Sequence, residues 1–349
     1  MKERLLYVGS YAAKDEEGIT GYRFQYDEGK LEKRFGMAGI ANPSFLTLNS
    51  DRTRLYAVSE ASDGDGIVAS FAIHESSGEL ILLNKRTTYG SAPCHVMLDG
   101  EEEFLVVTNY LGGNVVLYRV EKDGSIGPIA DNVAHEGHGP RSDRQEKAHP
   151  HSSIMDPSNR YVIVADLGID KLVHYRLDRE AGKLILHRET VTASGAGPRH
   201  LAFHSGGRLL YVLNELDCTV AVYSFRAEDS ELVRIQIISA LPESFDGENT
   251  SADIHVTGCG RYLYASNRGH DSIVVYRIDD EGLLALVEHV PSGGRIPRNF
   301  ALAPDDQFLL AANQDTHEVV VFRIDPETGR LLETSHIING AAPVCIQFV

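Results

Sequence analysis

Short apolar runs separated by polar turns follow one another along this chain, and together they form a phrase that repeats. The phrase is clearest at Gly197 Pro198 Arg199 His200, continuing through Arg208 to Glu215 and Val220 to Tyr223. A proline opens a short apolar run and a Gly/Asp/Asn/Ser turn follows. A strand of the form Arg/Leu-Tyr-Val-x-Asn comes next, and then a second alternating strand ends in Tyr or Phe. Seven copies begin at Pro43, Pro93, Pro150, Pro198, Ala252, Pro297 and Pro343, in steps of 50, 57, 48, 54, 45 and 46 residues. The copy at Pro198 predicts strand A at 198–203, strand B at 208–214, strand C at 219–225 and strand D at 231–237. The runs are rich in Val, Ile, Tyr and Phe and bounded by turn residues, which favours strands.

A four-stranded unit repeated seven times at this period predicts an all-β, seven-bladed β-propeller of antiparallel blades. The ends of the chain predict how it closes. It opens at a strand B, Arg4 to Ser10, with no strand A before it, and it stops after a lone strand A, Pro343 to Phe348. The last strand is therefore expected to complete the first blade, leaving no open edge. Residues 1–349 read as one propeller domain.

That topology says where a site must lie. Strands A and B form a hairpin, so the start of A and the end of B share one end of each blade. Seven blades bring these positions together around the axis. After the repeat's first residue come Ser44, Cys94, His151, Arg199, Asp253, Arg298 and Val344. After strand B come Ser10 and Tyr11, Glu60, Asn109 and Tyr110, Asp166, Asn214 and Glu215, Asn267 and Arg268, and Asn313 and Gln314. The Asn and Asp residues are either ligand contacts or turn formers. Arg199, Arg268 and Arg298 stand where other blades carry small or acidic residues, and guanidinium groups suit phosphate or carboxylate; their alternative is inter-blade salt bridging. A polar insertion from Asn132 to Lys147 breaks the period and leads into Ala148 His149 Pro150 His151 Ser152. A loop longer than about 12 residues suggests a lid or binding loop. His135 with His138, or His149 with His151, invites a metal reading, but no Cys or Asp cluster completes a ligand set. An acid/base role for His151 ranks above it.

Composition narrows the function. With 33 basic against 50 acidic residues the net charge is −17, which disfavours nucleic-acid binding and leaves a small anionic ligand only where arginines cluster. No apolar run approaches the roughly 18 residues of a membrane helix, so a soluble, unexported, cytoplasmic protein without membrane contact is expected. Cys94, Cys218, Cys259 and Cys345 lack both zinc-site spacing and disulfide-framework density, so reduced thiols are expected. The expected assembly is a monomer or weak homo-oligomer.

The phrases Ala148 His149 Pro150 His151 Ser152, Val164 Ala165 Asp166 Leu167 Gly168, Gly197 Pro198 Arg199 His200, Leu213 Asn214 Glu215, Ala265 Ser266 Asn267 Arg268 Gly269 His270 and Pro297 Arg298 Asn299 Phe300 closely resemble the seven-bladed propeller lactonase family. That family includes bacterial propeller-type 6-phosphogluconolactonases, enzymes of the pentose phosphate pathway, and fungal carboxy-muconate lactonizing enzymes. The resemblance covers the whole chain. It implies a cofactor-free site on one face of the propeller that opens or forms a lactone, with His151, Arg199, Glu215 and Arg268 as the catalytic candidates; no metal is expected there.

Lactone hydrolysis needs a base for water, stabilisation of an oxyanion, and a proton for the leaving ring oxygen. On this reading His151 is the base oriented by Glu215, or Glu215 is the base with His151 as the acid. Arg199 and Arg268 face the oxyanion. Arg298, with His149 or Asn299, receives the phosphate of an anionic sugar lactone, and Asn109, Asp166 and Asn313 complete the substrate-binding set. The expected reaction is 6-phosphogluconolactone hydrolysis. A lactonising enzyme on the same site and a non-catalytic interaction propeller are the alternatives; the absence of Trp, and so of a Trp-Asp repeat ending, weighs against the second.

Overall fold

The computed structural model describes residues 3–62 and 64–349. These contain 28 strands and no helix, arranged as seven four-stranded antiparallel sheets. Blade 1 joins the two ends of the chain: Pro343–Phe348 is its inner strand, followed outward by Glu3–Ser10, Ile19–Gln25 and Lys30–Met37. Tyr7 pairs with Gln347 and Gly9 with Cys345, so the closure is a continuous ladder as expected. Met1 and Lys2 lie outside the described residues. The inner strands of blades 2 to 7 are Leu46–Leu48, Pro93–Leu98, Pro150–Met155, Pro198–Phe203, Thr250–Val256 and Pro297–Leu302. Each touches the inner strands of both neighbouring blades, which closes the ring. No helix among the described residues is long and apolar enough to cross a membrane.

Strands B and C read as nearly continuous apolar runs because both faces of each blade are covered. In blade 5, Leu210 and Val212 pack toward blade 4, while Tyr211 and Leu213 pack toward blade 6. This period-2 alternation feeds two different interfaces. Seven apolar clusters result, one between each pair of blades. The recurrent tyrosine of strand B has a second task. The hydroxyls of Tyr7, Tyr56, Tyr211 and Tyr264 donate to the carbonyls of Gly78, Gly124, Gly282 and Gly329, each in the next blade's outer turn, at 2.7–3.0 Å. The glycines hold positive φ there, Gly282 at 85°, a conformation that a side chain disfavours.

At the site end of the inner strands the ladders carry a bulge. Pro150 pairs with Asp166 and Ser152 with Ala165, leaving His151 as the extra residue. Arg199, Arg298, Cys94 and Val344 are extra in the same way in blades 5, 7, 3 and 1. A bulge re-aims the side chain it inserts. Blade 6 corrects the sequence reading. Ser251 pairs with Asn267, as Pro198 does with Asn214, so this copy begins one residue before Ala252. Asp253 consequently lies one layer deeper along the axis than Arg199, level with His200 and Asn299, to both of which it is hydrogen-bonded.

Candidate active site

The strand A bulges supply His151, Arg199 and Arg298, and the ends of strand B supply Tyr11, Glu60, Tyr110, Glu215 and Arg268. Glu215 is the electrostatic centre. Its Oε2 accepts from Arg199 Nε at 2.8 Å and lies 3.1 Å from Arg268 Nη2, while Oε1 accepts from Arg144 Nη2 at 2.5 Å. Glu215 and Arg199 are 3% and 2% exposed, so these are desolvated ion pairs. Burial by itself would raise the Glu215 pKa; Arg268, Arg199 and Arg144 together outweigh it and hold the carboxyl at about 2. Arg199 also donates from Nη1 to the Ala252 carbonyl, which locks it across the blade 5–6 seam. Arg268 donates Nη2 to the Ser251 carbonyl at 3.1 Å, but its buried Nε has no partner.

His151 is buried with its Nδ1 unpartnered and its ring edge-on to Tyr110, with centroids 5.5 Å apart. Burial, then the field of Arg199 and the charges of His200, Arg298 and Arg268, push its pKa well below the ordinary 6.5. It is therefore a neutral imidazole at neutral pH. On the other flank, Arg298 lies over the Tyr11 ring at 5.3 Å and 3.8 Å from Glu60, whose other oxygen accepts from the Tyr11 hydroxyl at 2.9 Å. Four guanidinium groups against two carboxylates leave this mouth with an excess of two positive charges in an acidic protein. Such a field concentrates small anions.

The structure brings His151, Arg199, Glu215, Arg268 and Arg298 together, sets Asn299 with His151, Arg199 and Arg298 on the axial cavity, and engages the polar atoms of the other candidates in contacts within the fold. Asn109 and Asn313 are fully buried and donate to the Thr88 and Ser292 carbonyls, clasping each blade to the chain arriving from the one before. Asn267 does the same to Ala240, so the recurrence reflects turn structure and not ligand contact. Asp166 accepts from the His149 and Gly168 amides and pairs with His135 at 2.7 Å, which ties the two ends of the insertion together. His149 is stacked behind Tyr110, with its two ring nitrogens on the Tyr110 carbonyl and Glu146. Asn299 spends its amide on Asp253 and Ile346. These five are thus structural neighbours of the site, not free donors to a ligand.

Arg144 belongs to this cluster although the sequence did not point to it. Strand D of blade 3 runs to Ala134, so the insertion starts at His135 and not at Asn132. Within it Gln145 is fully buried, donating to the Leu167 carbonyl and Asp170, and this anchor sets Arg144 against Glu215 and the Tyr110 hydroxyl. The available signal was an arginine inside a polar insertion that leads into the site face. Among the described residues no group of three or more His, Cys, Asp or Glu side chains converges as metal ligands. An open cavity of about 770 Å³ lies away from this site, beside Arg4, Arg54 and His74 at the blade 1–2 junction.

Residues 5–348 match the model of the family described as lactonase, 7-bladed beta-propeller. The chain belongs to that family. It is 38% identical to a 6-phosphogluconolactonase of Bacillus subtilis over 100% of this chain and 99% of the relative. It is 34% identical to a 6-phosphogluconolactonase of Formosa agariphila over 97% and 98% of the two chains. In structure it is similar to a periplasmic gluconolactonase of Pseudomonas aeruginosa, with a TM-score of 0.95, 31% identity and 99% of each chain covered.

Proposed function

We propose that the protein hydrolyses 6-phosphogluconolactone to 6-phosphogluconate, with His151 as base, Arg268 and Arg199 as oxyanion donors and Glu215 as the anchor of both arginines. The observation that carries this reading is a neutral, buried imidazole beside a buried guanidinium whose Nε–H has no partner. A carboxyl held at about 2 is a poor base, so Glu215 orients and His151 takes the proton. His151 removes a proton from the attacking water, negative charge gathers on the carbonyl oxygen opposite Arg268, and the imidazolium returns the proton to the ring oxygen as the ester C–O bond breaks. Donors preset in a dry site favour that charge without reorganising. Arg298, on the flank away from Glu215, takes the substrate's phosphate.

A specific observation supports a second reading on the same residues. Arg298 already has Glu60 and Tyr11 as partners, and the Pseudomonas relative is named a gluconolactonase, so the unphosphorylated lactone is the alternative substrate. Membership of a lactonase family displaces the interaction-propeller alternative. The free thiols, three buried and Cys259 exposed, support a reducing cytoplasm.

The test is lactone hydrolysis slightly below pH 7, coupled to oxidation of the released 6-phosphogluconate, with and without EDTA. We expect Arg268→Ala to lose about 10² to 10³ in kcat and His151→Ala about 10² to 10⁴, with EDTA without effect. Full turnover in both variants would refute the site. Equal kcat/KM for glucono-1,5-lactone, followed by acid release, would refute the phosphate role of Arg298.

A further inference from the structure

The residues that follow the repeat openings form one layer across the axis, and that layer is unevenly filled. Blades 4, 5 and 7 bring the large side chains of His151, Arg199 and Arg298, whereas blades 1, 2 and 3 bring the smaller Val344, Ser44 and Cys94. All six line a cavity of about 10 Å³ on the axis, which is about the space of one water molecule. Two of them carry a buried polar atom with no partner among the described residues: His151 its Nδ1 and Ser44 its Oγ. The rest of His151 is already held. Its carbonyl accepts from Thr108 Oγ1 at 3.2 Å and from the Cys94 thiol at 3.1 Å. Its ring lies edge-on to Tyr110 and to His200, with centroids 5.5 and 5.4 Å away. These contacts fix where the ring lies, but none of them reaches a ring nitrogen.

We propose that one ordered water occupies the axial cavity and joins His151 Nδ1–H to Ser44 Oγ, which makes Ser44 a positioning residue that sets the tautomer of the base. The proposal rests on the reading of His151 as the base of a lactone hydrolase. A neutral imidazole carries its hydrogen on one ring nitrogen and accepts a proton at the other. Nδ1 is buried away from the mouth, so the water bound for the lactone carbonyl is deprotonated at Nε2. The active tautomer therefore holds its hydrogen on Nδ1, where a desolvated N–H without an acceptor is costly. The opposite tautomer turns an N–H toward the mouth and leaves no base there.

A water in the cavity removes that cost. Its oxygen accepts from Nδ1–H and one of its hydrogens goes to Ser44 Oγ, which gives it the two partners a buried water needs as a minimum. The neighbouring side chains are spent or cannot accept. Arg199 and Arg298 only donate, Asn299 has its amide on Asp253 and Ile346, and the Cys94 thiol faces the His151 carbonyl. The hydroxyl of Ser44 is the orphaned oxygen left. The contact also serves turnover. When Nε2 takes a proton from the attacking water, Nδ1–H keeps the same acceptor, so the imidazolium forms without rearranging the layer below. Nε2–H then returns its proton to the ring oxygen, and the tautomer that started the cycle is restored.

The experiment labels the full chain with nitrogen-15 histidine and reads the two ring nitrogens of His151 by NMR, with His151→Gln to assign them. Wild type, Ser44→Ala and Ser44→Val are compared, and kcat and KM are measured for the same three proteins. The proposal predicts the Nδ1–H tautomer in wild type and a shift toward Nε2–H in both variants. It also predicts kcat lower by about tenfold with KM unchanged, the weight of one hydrogen bond on the tautomer ratio. Ser44→Val, which fills the cavity as well, falls at least as far as Ser44→Ala. A crystal of the wild type soaked in bromide should show a water-sized peak between Ser44 Oγ and His151 Nδ1 without anomalous signal. An Nε2–H tautomer in wild type, a bromide peak in the cavity, or variants that lose kcat with the tautomer unchanged each overturns the proposal, as do variants that keep full kcat. The wild-type spectrum and crystal keep the test decisive if a variant misfolds. Wild type without turnover on any lactone removes the hydrolase reading instead, since the tautomer and the water are read without activity.

Discussion

Glu215→Gln keeps the shape of the side chain and removes only its charge, which makes it the most informative single substitution. In the folded protein three guanidinium groups lower the Glu215 pKa from 4.5 to about 2. That depression corresponds to about 3 kcal/mol of stabilisation of the carboxylate. The folded pKa is depressed, so this stability is present above pH 4.5 and is lost as the pH falls toward 2. Denaturant unfolding at pH 7.5 should therefore show the variant less stable by about 3 kcal/mol, or somewhat more if the arginines are left poorly paired. At pH 4 the gap should narrow by roughly 1 kcal/mol, because part of the wild-type linkage has gone. The same variant separates anchor from base. If Glu215 only holds Arg199 and Arg268, kcat/KM falls by about 10² to 10³ while the acid limb of the pH profile, set by His151 below 6.5, stays where it was. A gap that does not change with pH, or an acid limb that vanishes, would refute the anchor role.

Three further outcomes follow from the geometry. Tyr211→Phe leaves the Gly282 carbonyl at the blade 5–6 seam without its donor, and should lower unfolding free energy by about 1–3 kcal/mol with activity retained; an unchanged midpoint would show the seam bond to be immaterial. Arg144→Ala removes one of the three partners of Glu215 from a side chain 33% exposed, and should reduce kcat/KM by about tenfold while leaving the thermal midpoint nearly unchanged. His174 is fully buried between Ser230 and Thr190, and burial holds it at about 4 against an ordinary 6.5. Because the unfolded chain binds that proton first, stability should fall as the pH drops from 6.5 toward 4, by up to about 3 kcal/mol from this group, and His174→Gln should flatten that part of a urea-midpoint profile against pH.

The repeat carried the fold because its signals are local. Alternation in the copy at Pro198 marks strands that the structure places within two residues of the expected ends, and the unpaired strand B at Arg4 with the lone strand A at Pro343 dictates the closure. The hairpin of strands A and B by itself places His151, Arg199, Glu215, Arg268 and Arg298 at one end of the propeller. Tertiary structure decided what those residues do. A one-residue bulge fixes whether a side chain faces the mouth or the layer below, and the register of blade 6 moved Asp253 into the lower layer, where it joins His200 and His255. Asn109 and Asn313 read as polar residues near a site, yet their partners are carbonyls of the chain arriving from the preceding blade, more than 20 residues back in each case. Arg144 reaches Glu215 across 71 positions because Gln145 is anchored beneath the loop. The choice between Glu215 and His151 as base depends on how many guanidinium groups surround each, and that field is a sum over blades. Strand patterning needs only near neighbours along the chain, whereas partner choice, burial and charge at the axis exist only once seven blades have converged.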